Sequence, residues 1–570
     1  MNKRFLGRVR MLTLFFVTVS LVLVGRLYFL QIVRGPAYTT RADAQFTEPA
    51  TSLPTRGIIY FSDNAGTEIA AAVIKDGFAI AVNPTKVTDA EALWTALQGA
   101  VTLSHDAFIA KATKSGSQYQ LVAQHLSGDV GEALQAKQLP GLIVQQDRWR
   151  SYPGGSLAAQ EIGFVAYNGG DSQEGRYGLE RQYNQTLERS AQDLYKNFFV
   201  ELFGGVKSVL EGAPQEGDII TTIEPSVQSE LERQLALYDS TWHPKLAGGI
   251  IMNPQNGEIY AMAVAPTFDL NAFNLQTNPL VYANPLVQNV YEMGSIFKPL
   301  TMAAGIDSGA VTENTTYNDT GFITVDGKKI SNFDFKARGV IPMQQILSQS
   351  LNVGASFVAT RMGSSTMRNY FLDHYGLGST TGIDMPGEVR GIVGNLSSPR
   401  QVEYDTASFG QGIANTPVET VRALATLANG GYLVTPHLVR AIRYTVGITK
   451  PISLPEKVQV LKPETSTTVS RMLTAVVDTA LAKGEDKIEH YSVAAKTGTA
   501  QIANPSGGGY YSDRFLHSFV GYFPSYDAKF IVFLFAVEPV GAPYASTTLA
   551  PPWHELTQFL INYYNVPPDR

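Results

Sequence analysis

The apolar pattern divides the chain before any chemistry is considered. Met11 to Gly25 runs without a charge, Arg26 interrupts it, and apolar residues resume through Val33. One helix over residues 11–33 would be about 35 Å long, enough to span a bilayer with some tilt. Downstream, Thr51–Thr55 is a short polar link. Ile58–Val82 predicts short strands with Asn/Gly turns, Ala90–Gln124 is helix-rich, and Gln145–Ala166 is strand and turn around the breaker Tyr152-Pro153-Gly154-Gly155. Ser226–Tyr238 has helical periodicity, with Pro225 fit for its first turn. Leu246–Ile251 and Glu258–Val264 are apolar runs joined by Asn253-Pro254-Gln255-Asn256-Gly257, the pattern of a β-hairpin. Helical patterns dominate from about 298 to 375 and again near 417–429. His517–Phe523 and Phe530–Val537 predict two more strands, and Trp553–Tyr564 an amphipathic helix. Strands at both ends with helices between predict an α+β domain whose sheet joins early and late parts of the second half.

The flank sets the topology. Residues 1–10 carry Lys3, Arg4, Arg8 and Arg10 and no acid, which places the N-terminus in the cytoplasm and the rest outside. Ala42-Asp43-Ala44 has the small-x-small form of a signal-peptidase site, but it lies well past an apolar run that is long for a signal peptide. An uncleaved single-pass anchor in the cytoplasmic membrane is therefore the expectation. Arg26 has two readings, snorkelling near the outer interface or a face that contacts another membrane protein. The predicted organisation is a cytoplasmic tail over residues 1–10, an anchor over 11–33, a non-catalytic pedestal over 34–215 and a catalytic domain over 216–570.

Bulk composition narrows the function. The net charge is −6 and no long basic run follows the N-terminus, which argues against a nucleic-acid partner. The chain has no cysteine, so a cysteine nucleophile, a disulfide framework and a lipidated cysteine are excluded. Its eight histidines are scattered, with no pair at metal-ligand spacing.

Three short motifs carry chemistry. In Ser295-Ile296-Phe297-Lys298 the outer residues share one helix face. Pro299 fits only a first turn, so the helix begins at about Ser295, with the hydroxyl at the positive end of its dipole. A serine needs a base, and Lys298 serves if burial or a nearby cation keeps it neutral. Alone the motif is weak, since about one such match is expected by chance in a chain this long. Ser350-Leu351-Asn352 can point a hydroxyl and an amide the same way from a loop or turn. In that arrangement Ser350 would relay a proton, and Asn352 would hold Lys298 and a substrate carbonyl. The bland reading of that motif is a turn or a helix cap. Lys496-Thr497-Gly498-Thr499 follows Val493-Ala494-Ala495 on a predicted strand. Gly498 there leaves room for another backbone to approach. A substrate could pair with that edge as an added strand, and Lys496 with the threonine hydroxyls suits a terminal carboxylate. A Lys-Thr-Gly match arises by chance in roughly one such chain in ten.

Taken together and in this order, the motifs resemble the active-site set of penicillin-binding proteins and serine β-lactamases. Ser-Leu-Asn in the middle, rather than Ser-Asp-Asn, favours the penicillin-binding side. The likeness extends along the chain. Arg26-Leu27, Leu30-Gln31-Ile32, Arg56-Gly57-Ile58-Ile59 and Gly178-Leu179-Glu180 with Tyr183 are similar to the anchor and pedestal of class B penicillin-binding proteins. Gly257 to Met262, Tyr291-Glu292-Met293-Gly294, Ser408-Phe409-Gly410-Gln411-Gly412 and Ala500-Gln501 are similar to their catalytic domain. Two departures are Phe61-Ser62-Asp63-Asn64-Ala65-Gly66, where the family has a shorter turn, and Met293, often proline in relatives.

The resemblance implies a β-lactamase/transpeptidase-like fold and a peptidoglycan D,D-transpeptidase that is acylated by β-lactams. Ser295, Lys298 and Ser350 would be catalytic, Asn352, Lys496, Thr497, Gly498 and Thr499 would bind substrate, and the amides of Ser295 and Thr499 would form the oxyanion hole. No metal or organic cofactor is needed. The substrate would be stem peptides, and the implied partner is a glycan-polymerising membrane enzyme of the shape, elongation, division and sporulation family. Rival readings are a D,D-carboxypeptidase or β-lactamase, a non-enzymatic penicillin sensor, and a catalytically dead scaffold. A Ser-His-Asp hydrolase is disfavoured because no G-x-S-x-G is present.

Overall fold

Phe530–Val537 is the strand around which the second half is built. Every residue but the last is buried, and alternate side chains go to opposite faces. It lies in a computed structural model that describes residues 55–167, 173–189, 216–484, 487–506 and 508–570. The expected anchor over residues 11–33 falls outside the described residues. Among the described residues no helix is long and apolar enough to cross a membrane.

Five antiparallel strands form the central sheet: β1 (Leu246–Met252), β2 (Ile259–Ala265), β3 (Ala494–Ala503), β4 (Tyr510–Phe523) and β5 (Phe530–Val537). Their spatial order is β3-β4-β5-β1-β2, so the late strands complete a sheet begun some 250 residues earlier and β3 is left at an edge. Val532 and Leu534 face helices α1 (Pro225–Trp242) and α4 (Ala550–Tyr563), meeting Leu231, Leu235, Trp553 and Leu556. Phe533 and Phe535 face the other way, in the core that holds Ile296, Phe297 and Leu300. Burying each such side chain contributes about 1.5–3 kcal/mol, so both faces are firmly fixed. The start of α1 follows from local chemistry: Pro225 occupies its first turn and Glu224 accepts the Val227 amide at 2.6 Å.

Helices α2 (Lys298–Asp307) and α3 (Asn352–Met362) pack on that second face with the helices Pro417–Ala428 and Pro463–Thr479. α2 is apolar nearly all round and correspondingly buried. The expected helical dominance from 298 to 375 is broken by two small β pairs. Thr316–Asp319 pairs with Gly339–Pro342, and Phe322–Val325 with Lys328–Ser331. The inner hairpin turns at Asp326-Gly327, both with positive φ (49° and 74°), which is the Asp-Gly two-residue turn that strand twist favours. The surrounding helical periodicity masks that signal in the sequence.

The described chain falls into two units. One, residues 75–149, packs helices Ala90–Leu97 and His105–Ala112 on strand Gln120–Leu126 through Leu93, Leu97, Phe108 and Val122. The other holds residues up to 74 and from 150 onward. In it, strand Ile59–Ser62 runs parallel to Gly217–Thr221, which pairs antiparallel with Val439–Tyr444. Arg56 and Glu180, quoted above as parts of two separate pedestal motifs, meet there. The carboxylate of Glu180 is fully buried and accepts Arg56 Nε at 2.7 Å and Arg150 Nε at 2.6 Å. Gly57 is glycine because a Cβ would lie 2.1 Å from the carbonyl oxygen of Gly217. The longer turn after Ser62 is closed by Asp63, which accepts the amides of Ala65 and Thr67.

Candidate active site

Ser295 sits in a tight turn, Gly294–Phe297, that runs directly into α2. Lys298 is the first residue of α2 and Pro299 the second, so the proline falls where no amide partner is needed. Ile296 and Phe297 anchor the turn in the core. Gly294 has φ +67° and donates its amide to the carbonyl of Gly410 at 3.1 Å. Gly410 also has a positive φ, and a Cβ there would collide with the Gly294 carbonyl at 2.2 Å. The Ser408–Gly412 segment is therefore the backing of the turn. The hydroxyl of Thr301 on α2 fastens it by donating to the Ser408 carbonyl at 2.7 Å.

The three motifs converge. Lys298 Nζ lies 2.8 Å from Ser295 Oγ, 2.6 Å from the Ser350 carbonyl oxygen and 3.1 Å from Ser350 Oγ. Lys496 Nζ donates to the same Ser350 Oγ at 3.0 Å and to the Thr497 carbonyl at 2.9 Å. Ser350 precedes α3 and has φ +54°, a strained value for a residue with a side chain. That conformation is what turns both of its oxygens onto Lys298.

Both lysines are buried, at 1% and 3% exposure, and among the described residues neither has a carboxylate partner. Burial, and secondarily the charge of Lys496, pushes the Lys298 amine well below the usual lysine range. Burial alone pulls Lys496 down to about 7. A neutral Lys298 can accept the proton of Ser295, and the chain of atoms continues to Ser350 Oγ and on to Lys496. A site with two amines and no acid nearby also has an unmet demand for an anion.

The remaining predicted residues lie around this centre. Thr497 and Thr499 alternate with Lys496 and Gly498 along β3, so the two pairs point to opposite faces. Thr499 Oγ1 accepts the Ala545 amide at 3.1 Å, which leaves its own proton free to donate. Gly498 does leave room for a backbone, and that backbone is the turn of the nucleophile. A Cβ on it would lie 2.7 Å from the Met293 carbonyl and 2.3 Å from Ser518 Oγ. Asn352 is at the start of α3, but its amide donates to the Ser331 carbonyl at 3.0 Å and makes no bond to Lys298. Ser518 was not foreseen. It is a buried hydroxyl between His517 and Phe519, and it donates to the Met293 carbonyl at 2.8 Å, tying β4 to the turn. Neither Phe333 nor Tyr544, on the two walls of the site, belongs to any motif in the sequence.

The chain is similar to known proteins over most of its length. The family model "Penicillin binding protein transpeptidase domain" matches residues 247–553, and "Penicillin-binding Protein dimerisation domain" matches residues 51–218. Stage V sporulation protein D of Bacillus subtilis is 30% identical over 563 residues, covering 96% of this chain and 84% of the relative. Peptidoglycan D,D-transpeptidase FtsI of Escherichia coli K12 is 25% identical over 559 residues, with 96% and 90% covered. Among solved structures, penicillin binding protein 2X of Streptococcus thermophilus aligns with a TM-score of 0.71 at 22% identity, covering 90% of this chain and 80% of that one. Penicillin binding protein 3 of Mycobacterium tuberculosis, complexed with aztreonam, aligns with a TM-score of 0.68 at 22% identity, covering 91% and 98%. At that identity the likeness to the structures is one of fold.

Proposed function

The chain belongs to the penicillin-binding protein transpeptidase family, of class B, and from that premise we propose how its own residues perform peptidoglycan D,D-transpeptidation. Ser295 Oγ attacks the penultimate D-Ala carbonyl of a donor stem peptide, and its proton passes to Lys298. The Oγ–C bond forms as the C–N bond to the terminal D-Ala breaks. Ser350, in contact with both lysines, hands the proton to the departing amine. The amides of Ser295 and Thr499 hold the oxyanion, where loss of one donor typically costs about 10²–10³ in rate. Lys496, Thr497 and Thr499 take the terminal carboxylate, Gly498 lets the nucleophile's turn approach, and Asn352 orients the donor from the α3 side. An amine of a neighbouring stem then attacks the ester, releases Ser295 and makes the cross-link. β-Lactams acylate the same hydroxyl.

One observation carries this reading: two buried amines, without a carboxylate partner among the described residues, converge on Ser350 Oγ, and one of them is 2.8 Å from Ser295 Oγ. It supplies a neutral base and a carboxylate receptor together. The edge position of β3 further supports a donor laid along it as an added strand. The matches over 51–218 and 247–553 support the division into a pedestal over 34–215 and a catalytic domain over 216–570. The uncharged run from Met11 to Gly25 and its basic flank support a single anchor in the cytoplasmic membrane, inside to outside. We include a glycan-polymerising membrane enzyme of the shape, elongation, division and sporulation family as partner.

Labelling with a fluorescent penicillin tests the assignment. The wild-type chain takes up label that survives denaturation, and Ser295→Ala takes up none. Equal labelling of the two rules Ser295 out. Product analysis with paired stem peptides gives cross-linked dimer, where a carboxypeptidase or β-lactamase would give trimmed or hydrolysed monomer.

A further inference from the structure

One helical turn is clasped to the sheet at both of its ends. Ala545–Thr548 follows the exposed loop through Val540 and Tyr544, and of its four residues only the first and the last are buried. Positions i and i+3 share a helix face, so both point down onto the sheet. The Ala545 amide donates to Thr499 Oγ1 at 3.1 Å, and Thr548 Oγ1 lies 2.8 Å from His517 Nδ1. Thr499 and His517 are themselves directly opposite across β3 and β4, so their side chains leave the same face of the sheet. The next residues in that row, Ala536 and Ala247, are small and make room for the imidazole. Two strands and one turn thus close a ring of contacts through Thr499. His517 has no exposure to water, belongs to none of the three motifs and takes no part in the proton path of Ser295. Burial pulls its imidazole down to about 4, against the smaller pull of the Pro543 carbonyl, so the ring is neutral and contributes a hydrogen bond with no charge.

We propose that His517 is a positioning residue for the carboxylate receptor: it holds the Ala545–Thr548 turn in place, and the turn aims the Thr499 hydroxyl into the groove. The physical step is at Thr499 Oγ1. A hydroxyl has one proton and two lone pairs, and the Ala545 amide takes one of the lone pairs. The proton cannot point at that amide, so it is left to donate to a ligand carboxylate. Once the Thr548 clasp is released, the turn is tethered from its C-terminal side alone, by Leu549 and α4, and the Ala545 amide leaves Thr499. The hydroxyl then rotates freely and spends part of its time with its proton turned away from the groove. Lys496 and Thr497 keep their own contacts, so recognition of the carboxylate is weakened and not abolished.

The inference rests on the proposed acylation of Ser295 and on Thr499 as part of the carboxylate receptor, and the experiment separates them. Second-order acylation rates are measured on the full chain for benzylpenicillin and for its methyl ester, which has the same rings and acyl chain and no free carboxylate. The wild-type protein favours the acid. His517→Phe keeps the shape of the ring without its nitrogens, His517→Asn keeps a polar atom near the place of Nδ1 without the ring, and Thr548→Val removes the hydroxyl at equal shape. His517→Phe and Thr548→Val each lower the rate for the acid about tenfold, the low end for a hydrogen bond to a charged group, and leave the ester within about twofold. His517→Asn retains most of the acid rate, the opposite order from a residue kept for packing. In Thr499→Val, which has no hydroxyl to aim, adding His517→Phe changes neither rate further. An acid-to-ester ratio that stays at the wild-type value in both His517→Phe and Thr548→Val overturns the proposal, as do losses that multiply in the Thr499→Val background and an equal slowing of both compounds. Thr548→Val keeps the test decisive where His517→Phe does not fold. A wild-type protein that neither compound acylates refutes the Ser295 reading instead, and one that both acylate at the same rate refutes the carboxylate receptor.

Discussion

Lys298 and Lys496 donate to one oxygen: Ser350 Oγ lies 3.1 Å from the first Nζ and 3.0 Å from the second. Two ammonium groups sharing an acceptor in a buried site repel each other, and among the described residues no carboxylate pairs with either. The lower-energy state has Lys298 neutral and Lys496 as the group that titrates. Base and anion receptor thus come from the same residue type, separated by their surroundings alone.

Lys298→Arg is the sharpest test of the base. Arginine keeps the hydrogen-bonding capacity but stays charged where Lys298 is neutral, so it cannot take the proton of Ser295. Acylation by a fluorescent penicillin is expected to fall by about 10²–10⁴, the range of general-base catalysis, and Lys298→Met, which places no charge in the buried site, is expected to fall as far. An arginine variant that acylates within tenfold of wild type would show that the proton of Ser295 goes elsewhere.

The pH profile follows from Lys496. Burial lowers its amine to about 7, so in the free enzyme the receptor is charged below that pH and loses its proton as pH rises through it. The second-order acylation rate, which reports the free enzyme, therefore declines on the alkaline side near pH 7. Lys496→Arg stays charged, and its decline moves beyond pH 9. Superimposable alkaline limbs for the two proteins would remove Lys496 from the role. Stability runs in the opposite sense. A buried lysine with a lowered folded value binds fewer protons folded than unfolded between pH 7 and about 10, so its contribution rises with pH across that window. Replacement by Met removes the slope, and the stability advantage of Lys496→Met is expected to shrink by on the order of 1 kcal/mol per pH unit from pH 7 upward, read by denaturant unfolding.

The site was more legible in the sequence than its surroundings. Ser295 with Lys298, and Lys496 with Gly498, obey local rules of helix face and strand spacing, and both stand where those rules put them. Most strands and helices of the central sheet were legible for the same reason: runs such as Phe530–Val537 have a single reading once length and flanking turns are counted. The Phe322–Ser331 hairpin was missed because its Asp326-Gly327 turn lies inside a helical stretch. The bond of Asn352 to Ser331, the clasp of Ser518 on Met293 and the meeting of Phe333 with Tyr544 were invisible for a different reason. Each depends on which distant segments the fold makes adjacent, and no local spacing encodes that.

Gly498→Ala should separate folding from catalysis. The added methyl meets Ser518 Oγ at 2.3 Å and the Met293 carbonyl at 2.7 Å, and a backbone atom cannot step aside as a side chain can. Overpacking of this kind costs about 1–3 kcal/mol, which a domain of this size survives. The turn carrying Ser295 must back away from β3, so acylation is expected to drop at least tenfold in protein that is still folded by circular dichroism. Adding Ser518→Ala relieves the hydroxyl clash but not the carbonyl one, and recovers stability more than activity. Full recovery of acylation in the double variant would show that the turn was never displaced.

Glu180→Gln tests the ionic centre that joins the two pedestal motifs. The carboxylate takes Arg56 Nε and Arg150 Nε at 2.7 and 2.6 Å with no exposure to water. An amide of the same shape keeps the volume, cancels the negative charge and turns one acceptor into a donor facing a guanidinium. Two buried cations are then left unbalanced, and breaking a buried pair in this way costs about 3–5 kcal/mol. Expression and melting temperature are expected to fall sharply, while the fraction that remains folded labels with penicillin at the wild-type rate, because the centre shares no residue with Ser295 and its lysines. The reverse pattern, a stable protein with slow acylation, would mean that this centre acts on the active site and is more than a structural lock.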